Sequence, residues 1–595
     1  MATTDDLDFD AMNARYAEER AKRLRDDAVD QFIEVKTEVA DLDRDHYADP
    51  DFSRDPIVEE TDALIVGGGF AGLLAGARLR ERGVDNFRIV EKGAGFGGTW
   101  YWNRYPGVSC DIESYIYLPM LEELGVMPAE KYSKGTDIRA HCNRIASTYD
   151  LHRTALFQTT VEELRWNEDR QRWIVTTSRG DEIAARFVIS CTGVLSNPKL
   201  PKIPGIASYK GHSFHTSRWD YGYTGGDPDN WGPMPGLKDK KVAIIGTGAT
   251  SVQAIPLTAE SARHLYVFQR TPTSIDARGN KPTDPEWVKS LKPGWARERR
   301  DNFTFFTAGI GTGEDMINDG WTDIVKHISA PPGTDPSQVD PIEIMKGGMR
   351  KMERTRQRVD AIVKDKATAE ALKPYYYYFC KRPGFHDEFL EVFNRDNVTL
   401  VDTKGRGVEA ITEKGVVANG VEYEVDCIIY ATGFDWFNDY THENGMEFYG
   451  RGGQPLSKHW EDGPRTLYGM QTHGFPNLMF MRQAQSGSSY NYTHTADEQT
   501  KHIAYIVAES IKRGYSAVEP TAEAEEAWVN EIVTNAGMRK GFMDVCTPSY
   551  YNFEGKYTIK AARNEFYVGG PKAYNGLLED WQKEGSMKGL EVTKG

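Results

Sequence analysis

The strongest constraint on the fold is a pattern that the chain uses twice. Residues 63–83 read ALIVGGGFAGLLAGARLRERG and are followed by FRIVEKG; residues 241–260 read KVAIIGTGATSVQAIPLTAE and are followed, after three residues, by HLYVFQRTP. Each copy is a short apolar run, a glycine turn, a longer stretch with apolar residues at helical spacing, and a second apolar run. That order predicts strand, tight turn, helix and parallel strand, the unit that cradles a dinucleotide. The copies start 246 − 67 = 179 residues apart, which is the layout of a protein that holds two dinucleotides.

The residue types at each position carry the chemistry. In the first copy Gly67 permits the turn, Gly69 lets a pyrophosphate approach the backbone, and Gly72 lets helix and strand pack closely. The helix N-terminus then holds the anion with free N–H groups and its dipole. Glu91, 91 − 67 = 24 residues on, ends the second strand where a carboxylate binds ribose hydroxyls. The second copy has Gly246, Gly248 and Ser251, with Gln253 following on the helix, and at the same offset, 270 − 246 = 24, it carries Arg270 flanked by Thr271. An arginine there suits the 2′-phosphate of NADP rather than the bare hydroxyl of NAD. The expected fold is therefore α/β, with two Rossmann-like dinucleotide-binding domains, FAD in the first and NADPH in the second.

Between and after these units, RWIVTTSRG and RFVISCTG read as further strands of the first sheet, and VEYEVDCIIYATGFD repeats the strand ending in Thr-Gly. The paired ends, Thr192-Gly193 and Thr432-Gly433, mark where the chain leaves and re-enters the first domain. The expected division is a helical arm over 1–55, the first part of the FAD domain over 56–200, and an NADP domain over 201–430. Charged helical sequence around 278–375 is inserted in the latter, and 431–595 returns to the FAD domain and ends the chain.

A net charge of −16 and a pI near 5.4 speak against nucleic acid or an anionic membrane surface as the main partner. No stretch approaches the about 18 apolar residues that a membrane span needs, and the acidic MATTDDLDFD start is not built like a signal peptide. The six cysteines are scattered, with no CxxC pair, and read as reduced, unpaired thiols of a cytoplasmic protein. A monomer or homodimer is expected.

The segment Tyr209-Lys-Gly211-His-Ser-Phe-His215-Thr-Ser-Arg-Trp219-Asp220 lies just before the second glycine motif. It resembles the Baeyer–Villiger monooxygenase fingerprint Phe-x-Gly-x-x-x-His-x-x-x-Trp-Pro/Asp, with Tyr209 in place of the usual Phe. Gly97-Gly98-Thr99-Trp100 through Asp111 resembles that family's second fingerprint. The resemblance implies that Thr99, Trp100, Asp111, Tyr117 and Val161 lie about the flavin, with Asp111 orienting an active-site arginine. It further implies that Lys381 meets the NADP phosphate and Arg382 sits over the flavin, in YYYYFCKRPGFHDEF. His215 and Trp219 also suit a linker that braces the two domains.

The implied reaction converts a ketone to an ester or lactone with O2 and NADPH, through a C4a-peroxyflavin. Arginine, charged at any working pH, stabilises such an oxygen anion without giving up its proton. Tyr550 stands near where relatives carry a tryptophan beside the nicotinamide. The region Gln485–His494 and the N-terminal arm look more like members acting on large-ring or polycyclic ketones. The alternatives are a flavin monooxygenase that oxidises nitrogen or sulfur, and a non-catalytic NADPH-binding flavoprotein. A disulfide reductase is disfavoured, since no redox cysteine pair follows the first glycine motif.

Overall fold

Two separate sheets, each with a glycine turn at its centre, organise the chain in a computed structural model. The structure describes all residues except 1–6, 35–38, 40–41, 196, 310–313, 330–339 and 437–439. In the first sheet the Val58–Val66 strand runs parallel to Phe87–Val90 on one side and to Glu182–Ser190 on the other, with Ile65 opposite both Ile89 and Ile189. Its last four residues, Ala63 to Val66, are buried, as an apolar run covered on both faces must be. The helix Phe70–Glu81 crosses over this sheet and buries Leu73, Leu74, Ala77 and Leu79. Arg172–Thr177 and Val161–Asn167 extend the sheet as an antiparallel meander. Leu478–Phe480, near the chain's end, pairs in parallel with Glu182–Ser190.

The second sheet is wholly parallel, in the order Val398–Asp402, His264–Gln269, Lys241–Ile245, Cys427–Tyr430, His212–His215. The helix Ala249–Ser261 follows its glycine turn. The two Rossmann-like units expected from the repeated pattern are thus both present, with helices Pro285–Ser290, Trp295–Thr307, Gly320–Ile328, Pro341–Ile362 and Lys366–Leu372 inserted in the second. The two crossings between the units lie side by side: the Lys199 amide donates to Gly433 O at 2.9 Å, and Thr432 Oγ1 donates to Lys199 O at 2.5 Å.

The sequence VEYEVDCIIY is not one strand. Val421–Glu424 belongs to a three-stranded antiparallel sheet, and only Cys427–Tyr430 enters the second parallel sheet. Among the described residues of the N-terminal arm, one α-helix, Phe9–Ala21, is capped by the Asp8 carboxylate. A 3₁₀ turn, Ala28–Gln31, and a strand, Phe32–Glu34, follow, and the strand pairs antiparallel with Lys199–Pro201. Part of the expected arm lies outside the described residues.

The expectation of six unpaired thiols is wrong for one pair: Cys380 and Cys546, 166 residues apart, form a disulfide. No spacing rule joins positions so distant; tertiary packing alone brings them together. Cys110, Cys142, Cys191 and Cys427 are free and buried. Among the described residues no helix is long and apolar enough to cross a membrane.

Candidate active site

Two cavities, of about 710 and 830 Å³, open at the C-terminal ends of the parallel strands of the two sheets and share Thr99, Trp100, Tyr117 and Tyr492 in their walls. Of the residues singled out from sequence, Gly67, Gly69, Glu91 and Val161 line the first cavity. Asp111, Gly246, Gly248, Gln253, Arg270, Thr271, Lys381, Arg382 and Tyr550 line the second. Gly72 and Ser251, the third members of the glycine motifs, line neither and pack inside: Ser251 is fully buried.

The first cavity has the shape that an adenine dinucleotide needs. A Cβ on Gly67, whose φ is +104°, would stand 2.5 Å from Cys191 O, and one on Gly72 would stand 1.9 Å from Gly67 O. Neither position can carry a side chain without breaking the turn. Gly69 begins the Phe70–Glu81 helix without a side-chain cap, so the helix N-terminus faces the cavity with unsatisfied donors. Glu91 is buried, and its two carboxylate oxygens accept the Gly68 and Gly93 amides, both at 2.6 Å. Burial pushes its pKa up, and these two amides work against that shift. Trp100 Nε1 donates to Tyr117 Oη at 2.8 Å, which fixes two rings of the shared wall.

The second turn repeats the geometry with more open space. Gly246 has φ +116° and a Cβ there would lie 2.4 Å from Ala431 O, whereas a Cβ on Gly248 would meet nothing within 4 Å. The Ala249–Ser261 helix again starts without a side-chain cap. Gln253 reaches back to the first unit: its Oε1 accepts from Tyr105 Oη and the Ser109 amide, both at 3.1 Å, and its Nε2 donates to Ser109 O at 3.0 Å. Its polar atoms therefore join the two units across the cavity wall.

Arg270 is held by residues far away in sequence. Its Nη1 donates to Gln31 Oε1 at 2.7 Å and its Nη2 to Glu554 Oε2 at 3.2 Å. Arg23 from the N-terminal arm donates to Thr271 Oγ1 at 3.1 Å. The Lys381 ammonium makes no hydrogen bond or ion pair among the described residues. Burial, then the neighbouring Arg270, pulls its pKa down to about 8, with Glu554 opposing. A desolvated cation group beside an arginine in a cavity wall fits an arriving phosphate.

Arg382 lines the second cavity, and two groups aim it. Its Nη2 donates to Asp111 Oδ1 at 2.5 Å and its Nε to Asp111 Oδ2 at 3.3 Å. Its guanidinium also lies 4.9 Å from the centre of the Trp321 ring, a cation–π contact. Trp321 Nε1 in turn donates to Asp111 O at 3.0 Å. Burial disfavours the Arg382 charge, and the Asp111 carboxylate more than offsets it, so its pKa is raised and the group stays cationic.

Trp321 belongs to the inserted Gly320–Ile328 helix, which opens with a capping box between Asp319 and Thr322. Sequence reasoning passed over this tryptophan, as it did Phe379 and Tyr490, whose rings stack at 4.9 Å beside it. It also missed Trp436, packed 4.8 Å from the Tyr550 ring. Trp321 and Trp436 lie outside every quoted motif, whereas Phe379 and Tyr490 fall within quoted stretches without being singled out; the capping box around Trp321 is its one local sign. His215 is buried, its Nδ1 lies 2.8 Å from Ser217 Oγ, and burial lowers its pKa to about 3. It is a neutral imidazole at the edge of the second sheet.

The chain is similar over nearly its whole length to several monooxygenases. A family model described as pyridine nucleotide-disulphide oxidoreductase matches residues 64–293. Baeyer–Villiger monooxygenase ATR8 of Stachybotrys chlorohalonatus is 48% identical, over 99% of this chain and 95% of its own. Neopentalenolactone D synthase of Streptomyces avermitilis is also 48% identical, over 99% and 100%. Among solved structures, the polycyclic ketone monooxygenase of Thermothelomyces thermophila superposes with a TM-score of 0.92 at 37% identity, over 99% and 100% of the two chains. Cyclohexanone monooxygenase from Rhodococcus sp. Phi1 gives 0.75 at 28% identity, over 91% and 100%. With such identity across both full lengths, and a clamped arginine–aspartate pair in the wall of the second cavity, the chain belongs to the Baeyer–Villiger monooxygenase family.

Proposed function

We propose that this enzyme inserts one oxygen atom of O2 beside the carbonyl of a bulky cyclic or polycyclic ketone, using FAD and NADPH, and releases an ester or lactone. The observation that carries the reading is the Arg382 guanidinium, clamped by Asp111 and Trp321 in the wall of an 830 Å³ cavity. When bound, FAD accepts hydride from NADPH and activates O2. Gly67, Gly69 and the helix behind them take the FAD pyrophosphate, and Gly72 lets that helix pack. Glu91 accepts ribose hydroxyls, while Thr99, Trp100, Asp111, Tyr117 and Val161 surround the ring. Gly246, Gly248 and the helix bearing Ser251 and Gln253 take the NADPH pyrophosphate. Arg270, Thr271 and Lys381 take its 2′-phosphate, and Tyr550 meets the nicotinamide half.

Arg382 opposes the negative charge that develops as oxygen adds to a carbonyl carbon, and Asp111 keeps the guanidinium pointed there. A permanent cation cannot serve as the acid that nitrogen or sulfur oxidation asks for, which favours the ketone reaction. The similarity to a polycyclic ketone monooxygenase supports a bulky substrate. We assign 56–200 and 431–595 to the FAD domain, 201–430 with its 278–375 insertion to the NADP domain, and 1–55 to an arm that braces Arg270. We place the enzyme in the cytoplasm, as a monomer or homodimer.

The test is NADPH oxidation by the flavin-loaded protein across small monocyclic and polycyclic ketones, with products identified by mass. Polycyclic ketones are expected to stimulate NADPH use and to gain one oxygen. If no ketone in the panel did so while amines or sulfides were oxygenated, the reading would be wrong.

Two narrower outcomes follow from the cation cluster. Arg270→Ala removes a charged partner of a phosphate, so KM for NADPH should rise by about tenfold to a hundredfold with little change for NADH; equal losses for both cofactors would contradict the assignment. Lys381, with its pKa pulled down to about 8, carries its charge below that pH and loses it above. The kcat/KM for NADPH should therefore fall as pH rises through about 8, and Lys381→Arg should move that limb beyond the measurable range. A limb unmoved by the substitution would assign it to another group.

A further inference from the structure

The disulfide joins the two chain segments that bring cations and tyrosines to the second cavity. Cys380 immediately precedes Lys381 and Arg382; Cys546 ends the Ala522–Val545 helix and opens the segment that carries Tyr550 and Tyr551. We infer that the Cys380–Cys546 crosslink is a positioning element of the active site, holding the Arg382 loop and the Tyr550–Tyr551 segment in one fixed relation. This rests on reading that cavity as the reaction site.

Several observations place the load there. Both cysteines are fully buried, and neither lines either cavity, so the sulfurs act through geometry and exchange no electrons with a bound ligand. Ser549 Oγ donates to Cys380 O at 2.7 Å, in parallel with the covalent link. The Asn552 amide group gathers the same stretch, donating to Cys546 O at 3.4 Å and to Thr547 O at 3.2 Å. Arg20 Nε donates to Cys546 O at 3.1 Å and ties the N-terminal helix to the junction.

On the other side of Cys380, Phe379 has φ +63°, left-handed backbone that a bulky residue keeps only where its surroundings over-determine it. Its ring stacks on Tyr490, beside Trp321. Asp111 and Trp321 aim the guanidinium at its tip, and the crosslink fixes the backbone from which that side chain springs. Such double support is what a site held to fractions of an ångström needs.

The test uses the flavin-loaded full chain. Alkylation under denaturing conditions should find four free thiols before reduction and six after it, matching the four free cysteines and one crosslink; six without reduction would overturn the inference. Cys380→Ala, Cys546→Ala and the double variant should behave alike. Each should keep its flavin, raise KM for NADPH about tenfold, and lower ester formed per NADPH several-fold as hydrogen peroxide release takes its place. A crosslink that served stability alone would lower Tm and leave both quantities at the wild-type value, which also overturns the inference.

Should a variant lose its flavin, the wild-type crosslink can be opened by a phosphine. It passes two electrons to the sulfurs and breaks the S–S bond; one water molecule gives its oxygen to the departing phosphine oxide and its two protons to the thiols. The same two readouts then apply, with alkylation confirming the opening. Failure of the ketone reading would show as no ester from the intact enzyme, and KM for NADPH would still report on the crosslink.

Discussion

Arg382→Ala is expected to leave the purified protein yellow and able to consume NADPH, while ester formation falls about a thousandfold. The magnitude follows from what one fixed electrostatic partner of a developing oxygen anion is worth, about 10² to 10³ in rate. The guanidinium touches Asp111 and Trp321 and lies apart from the glycine turns that would hold FAD, so flavin binding should survive its loss. Removing it also leaves Asp111 without its countercharge, and an uncompensated carboxylate near developing negative charge works against the reaction. Arg382→Lys restores a charge but not the two-point fork on Asp111, and should recover only a part. The measurement is ester by mass alongside NADPH consumption and hydrogen peroxide. Ester at the wild-type rate from Arg382→Ala would remove this arginine from the chemistry.

Gly72→Ala should abolish flavin binding, although the substitution adds one methyl group. That methyl would stand 1.9 Å from Gly67 O, and a backbone carbonyl inside a tight turn cannot step aside as a flexible side chain can. Either the helix lifts from the strand or the turn opens, at a cost of about 1–3 kcal/mol or more, and both deform the cradle. Bound flavin per chain should drop at least about tenfold, read from the visible absorbance of the purified protein. Gly248→Ala provides the contrast: its methyl would meet nothing within 4 Å. That variant should fold, keep its flavin and weaken only NADPH. A Gly72→Ala protein with full flavin would show that the turn has slack which the packing denies.

Much of the fold was legible because its signals are local. A strand, a glycine turn and a helix lie within about twenty residues, so Val58–Val66 with Phe70–Glu81, and Lys241–Ile245 with Ala249–Ser261, could be read directly. The candidate site was legible only in part. Arg382 and Asp111 are 271 residues apart, and nothing but family resemblance paired them. Trp321 comes from an inserted helix, and Gln31 and Glu554 reach Arg270 from opposite ends of the chain. Their positions depend on how whole segments pack, which no local period records. The Cys380–Cys546 link escaped for the same reason, and a rule built on compartment and spacing pointed the wrong way. The split of VEYEVDCIIY into two strands of different sheets shows the limit of reading a long β-rich run as one element.

On the reading proposed above, the permanently charged Arg382 guanidinium in the wall of the second cavity directs oxygen from O2 to a ketone carbonyl. A single-turnover experiment with labelled oxygen tests it most directly: reduced, NADP-bound enzyme is mixed with a polycyclic ketone and ¹⁸O₂, and the product mass is read. One labelled oxygen in an ester is expected for each reduced flavin reoxidised, and almost none from Arg382→Ala. Unlabelled ketone recovered in full from the wild-type enzyme, with the flavin reoxidised, would contradict it.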